Sequence, residues 1–164
     1  MTVKVKRKPL DESIPAEAEP TSRGGQKMGA VIVKVKLTNY GDQVLFRRGM
    51  LPREQIRSVE ADALVDTGAV QSVVPPAIAN QLGLSRIGTQ MAQYANGLEE
   101  EVDLTEAIEI EIMGRRVSEE TLVLGDEVLI GQTVLEKTDL HVDCREQRLI
   151  PNPAHPNQPV IKIR

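Results

Sequence analysis

Residues 64 to 74 read LVDTGAVQSVV, an apolar run interrupted by the carboxylate of Asp66, the hydroxyl of Thr67 and the bare backbone of Gly68. A charged carboxylate at the end of a run that otherwise favours burial costs several kcal/mol, roughly, unless it is paired, hydrogen-bonded or neutralised. Carboxylates placed that way serve general acid and base chemistry, because neighbours and burial move their proton affinity. Asp-Thr-Gly alone is a weak motif, since Asp and Gly also recur in ordinary turns. Here it sits between Ala63-Leu64-Val65 and Ala69, followed by Ser72, Val73 and Val74, which predicts a loop at the edge of the core.

Other chemistries find less support. His141 and Cys144, three residues apart on a predicted strand, point to opposite faces and make no nucleophile and base pair. With His155 they lack zinc-site spacing and a fourth ligand, so no metal is expected. There is no Gly-x-x-x-x-Gly-Lys and no Gly-x-Gly-x-x-Gly, hence no phosphate-cradling loop and no expected cofactor. The run Glu99-Glu100-Glu101 reads as a solvated face, with a bias toward basic peptides as a secondary expectation.

The elements that must position Asp66 are mostly strands. From Ala30, Val31, Val33, Val35 and Leu37 alternate with Ile32, Lys34 and Lys36, and a turn at Asn39-Tyr40-Gly41-Asp42 predicts a hairpin with Gln43 to Phe46. RRGMLPREQ, 47–55, reads as a loop, and Ile56 to Val65 as the strand ending at Asp66. Pro75 and Pro76 open a short helix, Ala77 to Leu82, that Gly83 closes. Asn96-Gly97 marks a tight hairpin within 87–112, and Val102, Leu104, Ile108, Ile110 and Ile112 alternate with acidic residues in its second arm. A turn at 113–116, strands at Thr121–Leu124 and Glu127–Ile130, a helix around Val134–Lys137 with capping-box spacing at Thr133 and Glu136, and a hairpin of Leu140–Cys144 with Gln147–Ile150 complete the pattern.

Bulk composition fits one domain plus tails. The chain has 164 residues, 40% of them hydrophobic, which suffices for a single core. Its 24 acidic against 20 basic residues give a net charge of −4, so no basic field invites nucleic acid or anionic lipid. One cysteine forms no internal disulfide, no apolar run reaches a membrane span, and MTVKVKRKPLDES lacks the apolar core of a secretory signal; a cytoplasmic location is the expectation. Residues 1–28, rich in charge, Pro and Gly, read as a flexible N-terminal tail.

Taken in order, LVDTGAVQSVV, the Asn96-Gly97 hairpin, EIEIMGRRVSEETLVLG and VLIGQTVLEKTDLHVD, with its element Leu129-Ile130-Gly131, resemble the retropepsin-like aspartic proteases, the retroviral-type family with bacterial and cellular single-lobe members. The resemblance spans residues 29–150. It implies a mainly β, closed acid-protease barrel with one or two short helices and one lobe per chain, followed by a C-terminal tail, 151–164, that is a candidate contributor to a dimer interface. It implies an aspartic endopeptidase that hydrolyses peptide or protein substrates with water, no metal and no cofactor.

Two carboxylates sharing a proton are needed for that chemistry, and aspartic proteases are the standard illustration of such a pair. No second Asp-Thr-Gly or Asp-Ser-Gly exists in the chain. Asp66 of a second copy, across a homodimer axis, is therefore what the resemblance implies. It assigns Thr67 to reciprocal bonds between the two loops, Gly68 to close approach of substrate, Ala69 to the substrate site, and Tyr94, Ala95, Asn96 and Gly97 to a flap over bound peptide. Gly131 resembles the glycine that lets the chain cross behind the catalytic loop. Where retroviral members often carry an acidic residue and an Arg that pair near the substrate, this chain has Val70 and Gln132. A non-catalytic peptide-binding or scaffolding dimer on the same fold is the alternative, and a structural β-domain in which Asp66 only caps a turn a third reading.

Overall fold

The computed structural model describes residues 29–164, so the expected tail 1–28 lies outside the described residues. Strand β1 (Val31–Asn39) follows the valine alternation and lies inside the sheet. It pairs antiparallel with β2 (Ser58–Val65), Val35 opposite Ala61, and its second half pairs with a later strand.

The expected hairpin with Gln43–Phe46 is not formed. Those residues belong to helix α1 (Tyr40–Arg47), because the Asn39 side chain accepts a hydrogen bond from the Asp42 N–H and caps a first turn there. A short apolar run such as Val44-Leu45-Phe46 carries no period of its own, so the cap decides its conformation. The carboxylate of Asp42 then accepts three bonds from Arg57, from the backbone N–H at 3.0 Å, Nε at 2.8 Å and Nη2 at 2.9 Å, and ties α1 to the entrance of β2. These bonds hold the Asp42 carboxyl below its ordinary range, against the opposing effect of burial.

Beyond the Asp66 loop come β3 (Val73–Val74) and α2 (Pro76–Gln81), with Pro76 at its first turn. Gly83, at φ +62°, ends α2 as expected: its N–H donates to the Asn80 carbonyl and that of Leu84 to Ala79. An added Cβ there would also run into the Arg57 guanidinium. Next, β4 (Arg86–Gln93) and β5 (Glu99–Thr105) make the hairpin around Asn96-Gly97. The expected long second arm is cut after Thr105; Glu106 bonds back to Ser85, and the chain resumes as β6 (Ile108–Ile112). A Met113-Gly114 turn, both residues at positive φ, leads into β7 (Arg115–Glu119).

The chain finishes with β8 (Leu122–Val123), β9 (Val128–Ile130), α3 (Gln132–Thr138) and the hairpin β10 (Leu140–Asp143) with β11 (Arg148–Pro151). One curled nine-stranded sheet, ordered β4-β5-β8-β3-β9-β2-β1-β6-β7, forms the mainly β single lobe that was expected. The α-helices number three among the described residues, one more than expected, with α1 the addition, and a single 3-10 turn, Arg53–Gln55, lies in the expected loop 47–55. Inside the curl Leu37, Leu82, Ile108, Ile110, Ile112, Ile130 and Val134 are fully buried. Each contributes about 2 kcal/mol of apolar burial. The buried hydroxyls of Thr105 and Thr121 bond to each other at 2.8 Å, so neither is left unsatisfied.

Because Arg57 keeps half its side chain in water, we expect Asp42→Ala to cost about 1–2 kcal/mol in denaturant unfolding. The carboxyl is depressed, so its contribution is present above its ordinary pKa of 3.8 and fades as pH falls below it; unfolding at pH 7 and pH 3 should show the mutant and parent converging in acid.

Candidate active site

Strand β2 pairs in parallel with β9, Val65 opposite Ile130, and this register sets Asp66 beside Gly131. The Asp66 N–H donates to the Ile130 carbonyl at 3.0 Å, extending the ladder to the carboxylate itself. Asp66 is half-buried, Thr67 and Gly68 are exposed, and the chain returns to the interior at Ser72. The loop thus leaves the core edge rather than lying wholly along it. Its tip is held locally: Asp66 Oδ1 accepts from the Gly68 N–H at 2.9 Å, and the Asp66 carbonyl from the Ala69 N–H.

Gly68 has an ordinary φ, so its value is space. A Cβ there would sit 3.2 Å from Asp66 Oδ1 and press on the carboxylate. At Gly131 the constraint is stricter, since a Cβ would lie 2.7 Å from the Gln71 carbonyl carbon and 2.8 Å from Val70 O. The Asp66 loop therefore crosses directly over Gly131, the close passage expected from the sequence.

Three further bonds fasten the crossing. The Gly131 N–H donates to Ser72 Oγ at 3.1 Å, the Gln132 N–H to the Ala69 carbonyl at 2.7 Å, and the Thr133 N–H to the Val70 carbonyl at 3.2 Å. Thr133 Oγ1 also bonds Val70 O and Glu119 Oε2, while Glu119 Oε1 accepts from the Ser72 N–H. So the expected capping box of Thr133 and Glu136 is not made. Gly131 takes the cap position and Thr133 is used for the loop instead. At the two positions that depart from the retroviral pattern, the backbones of Val70 and Gln132 still join the loop to α3, while the Gln132 side chain turns to Glu136.

The candidate flap residues fall at the tip of the β4–β5 hairpin. Tyr94 and Leu98 bond through the Tyr94 N–H, and the Gly97 N–H returns to the Tyr94 carbonyl, with Gly97 at φ +83°. This is a three-residue turn, Ala95-Asn96-Gly97, instead of a two-residue one. The Asn96 side chain accepts from the Leu98 N–H. Tyr94 donates its hydroxyl to Glu100 at 2.6 Å, which raises the phenol's pKa. The hairpin face that carries Val102, Ala92 and Leu104 packs on Val73, Leu122 and Leu129 in a small apolar cluster. An open groove lined by Tyr94, Glu100, Val102 and Val123 to Gly125 runs beside it; Asp66 does not line it.

Sequence reasoning missed two groups at the C-terminus of α3. Arg115, buried at the start of β7, donates to the carbonyls of Thr138, Asp139 and His155, covering the C-terminus of α3. Asp139, at φ +54°, gathers the segment after β11. Its carboxylate accepts from Asn152 Nδ2 at 2.8 Å and the Val160 N–H at 3.1 Å, and meets His155 Nδ1 at 2.6 Å. The Asn152 bond is the chief cause that brings the Asp139 carboxyl down to about 2, with the Val160 N–H and His155 adding to it. A groove of about 930 Å³ lies between this segment, α3 and β10, and Thr67 and Gln132 line it. No local pattern announces a carboxylate whose partners lie 13 to 21 residues away.

Cys144 follows β10 and is exposed. Among the described residues no group of three or more His, Cys, Asp or Glu could hold a metal ion, and no helix is long and apolar enough to cross a membrane.

Comparison with known proteins matches residues 54–137 to the family described as "gag-polyprotein putative aspartyl protease". No curated protein matches the chain. Among solved structures it is similar to the EIAV protease complexed with the inhibitor HBY-793, at 26% identity and a TM-score of 0.41 over 47% of this chain and 75% of that one. It is also similar to the simian foamy virus (mac) protease, at 19% identity and a TM-score of 0.40 over 63% of this chain and 90% of that one. The foamy viral protease-reverse transcriptase in complex with an RNA/DNA hybrid is 16% identical, with a TM-score of 0.43, and the chain spans 65% of itself and 12% of that protein.

Two outcomes are expected from this geometry. Gly131→Ala must displace the backbone of Gln71, and should lose about 1–3 kcal/mol in denaturant unfolding. Asp139 has a depressed pKa, so its hold on the C-terminal segment is full above about pH 3.8 and lost as pH falls through about 2; protection of the Val160 amide, measured by hydrogen exchange and corrected for intrinsic rate, should drop across that window.

Proposed function

The chain belongs to the gag-type aspartyl protease family, whose pattern covers residues 54–137, and we propose that it is an aspartic endopeptidase working as a homodimer with Asp66 of each copy forming the catalytic dyad. The observation that carries this reading is the Asp66–Ala69 loop, held beside Gly131 by the parallel β2–β9 pair, with its carboxylate at the protein surface. A carboxylate meant only to cap a turn would not need a second chain segment fastened across it by Ser72, Ala69 and Val70.

In the dimer the two Asp66 carboxyls approach closely enough to share one proton, because two like charges at that distance do not both ionise. The ionised member takes a proton from a bound water as it attacks the scissile carbonyl. The protonated member donates to that carbonyl oxygen, giving a tetrahedral intermediate that breaks down as the amine leaves with a proton. Thr67, exposed in a single copy, supports a reciprocal bond between the loops. Gly68 leaves room at the carboxylate, Ala69 lies along the substrate, and Tyr94 to Gly97 close over it as a flap.

The C-terminal segment from Asn152 to Arg164 borders the groove that holds Thr67, which supports a place for it at the dimer contact. An exposed free thiol at Cys144 suits the cytoplasmic setting expected from composition. The rival reading, a peptide-binding or scaffolding dimer, keeps the flap groove and lacks turnover.

Asp66→Asn should abolish hydrolysis of an unfolded protein substrate while leaving the circular dichroism spectrum and the dimer intact. Specific activity of the parent should rise with protein concentration. Saturable peptide binding with no cleavage from acidic to neutral pH would favour the scaffold instead.

A further inference from the structure

Four of the six Lys and Arg side chains on the described strands pair with carboxylates: Lys34 with Asp62, Arg86 with Asp103, Arg116 with Glu109 and Glu111, and Arg148 with Asp143. Around α1 the pattern differs. Arg47, Arg48 and Arg53 have no carboxylate partner among the described residues. Arg47 lies over the Tyr40 ring, 5.4 Å from its centroid, and Arg53 over the Phe46 ring at 4.9 Å. Stacking fixes a guanidinium's plane and leaves its N–H edge to the solvent.

The end of α1 and the turn after it also expose apolar side chains. Helix α1 ends in a turn in which the Gly49 N–H donates to Phe46 O and the Met50 N–H to Leu45 O, with Gly49 at φ +71°. A hydrophobic contact between residues at the positions of Met50 and Leu45 often accompanies such an end. Here Met50 is 69% exposed and Leu45 37%. Two exposed apolar groups and three guanidiniums with no carboxylate partner among the described residues thus lie within residues 45–53, all before residue 54, where the family match begins.

The geometry points to α1 and its following turn as a docking site for an acidic segment of another protein that carries a large apolar residue. Charge complementarity favours carboxylates, since guanidiniums take them in a two-pronged bond that a lysine would not offer. Nucleic acid fits less well, because the faces of Tyr40 and Phe46 that would stack on bases are already covered by arginines. An anionic membrane is held by larger basic clusters than three side chains on a chain of net charge −4. A helix-end role for Arg47 and Arg48 is compatible with the site but leaves Met50 and Arg53 without a purpose.

The test uses the full chain and a short fluorescent peptide in which Glu alternates with Leu, followed by anisotropy. Saturable binding is expected, weakened about tenfold or more by Arg48→Glu, by Met50→Ser, and by replacing the peptide's Leu with Ser. Among the described residues neither the Arg48 nor the Met50 side chain makes a hydrogen bond or ion pair, so both variants should keep the parent's melting curve and its cleavage of a neutral peptide. Absence of saturation, binding untouched by both variants, or binding to phosphatidylserine vesicles or duplex DNA without binding to the peptide would overturn the site.

Discussion

The hydrogen bond from the Asp66 N–H to the Ile130 carbonyl joins the end of one strand to the end of another that lies far away in sequence. The catalysis proposed for this protein depends on that junction. Because β2 and β9 run parallel, both chains leave the sheet at the same edge, one as the Asp66 loop and the other as the N-terminus of α3. The two exits must cross, and the crossing is possible only where one residue has no side chain. Gly131 is that residue, with Gln71 and Val70 packed where a Cβ would stand. Bonds to Ser72, Ala69 and Val70 then remove the loop's remaining freedom, which is the preorganisation that acid and base catalysis requires.

In the proposed dimer a single chain supplies one half of the chemistry. Asp66 is half-buried and Thr67 exposed, which leaves both open to a second copy. Under that proposal one symmetric surface would meet the carboxylate, the hydroxyl and the groove beside Thr67 together. The Asp139 cluster belongs to the same economy of structure: a left-handed residue at the end of α3 fixes the segment bordering that groove, through bonds that reach Asn152, His155 and Val160. Buried Arg115 completes it from the other side by holding three carbonyls.

Much of this was legible in the sequence, for physical reasons. Strands β1 and β6 alternate cleanly because one face of each is buried, and α2 was bracketed by Pro76 and Gly83, whose backbone preferences are strong. Asp66, Thr67 and Gly68 stood out as polar and small residues inside an apolar run. Failures came where a tertiary bond outweighed a local pattern. Asn39 capping Asp42 turned an apolar run into α1; Thr133 left its expected capping box to bond Val70 and Glu119. Glu106 bonding to Ser85 divided what read as one long arm. Asp139 and Arg115 carried no signal, since their partners are backbone groups and distant side chains.

Mixing subunits tests the shared dyad most directly. A fixed amount of the parent protein is allowed to exchange with increasing Asp66→Asn protein, and cleavage is followed. If each active unit needs one Asp66 from each of two copies, an equal amount of the variant should lower activity to about half, and a ninefold excess to about a tenth, as mixed dimers form. Activity that stays constant at every ratio, with exchange of subunits verified, would contradict the account.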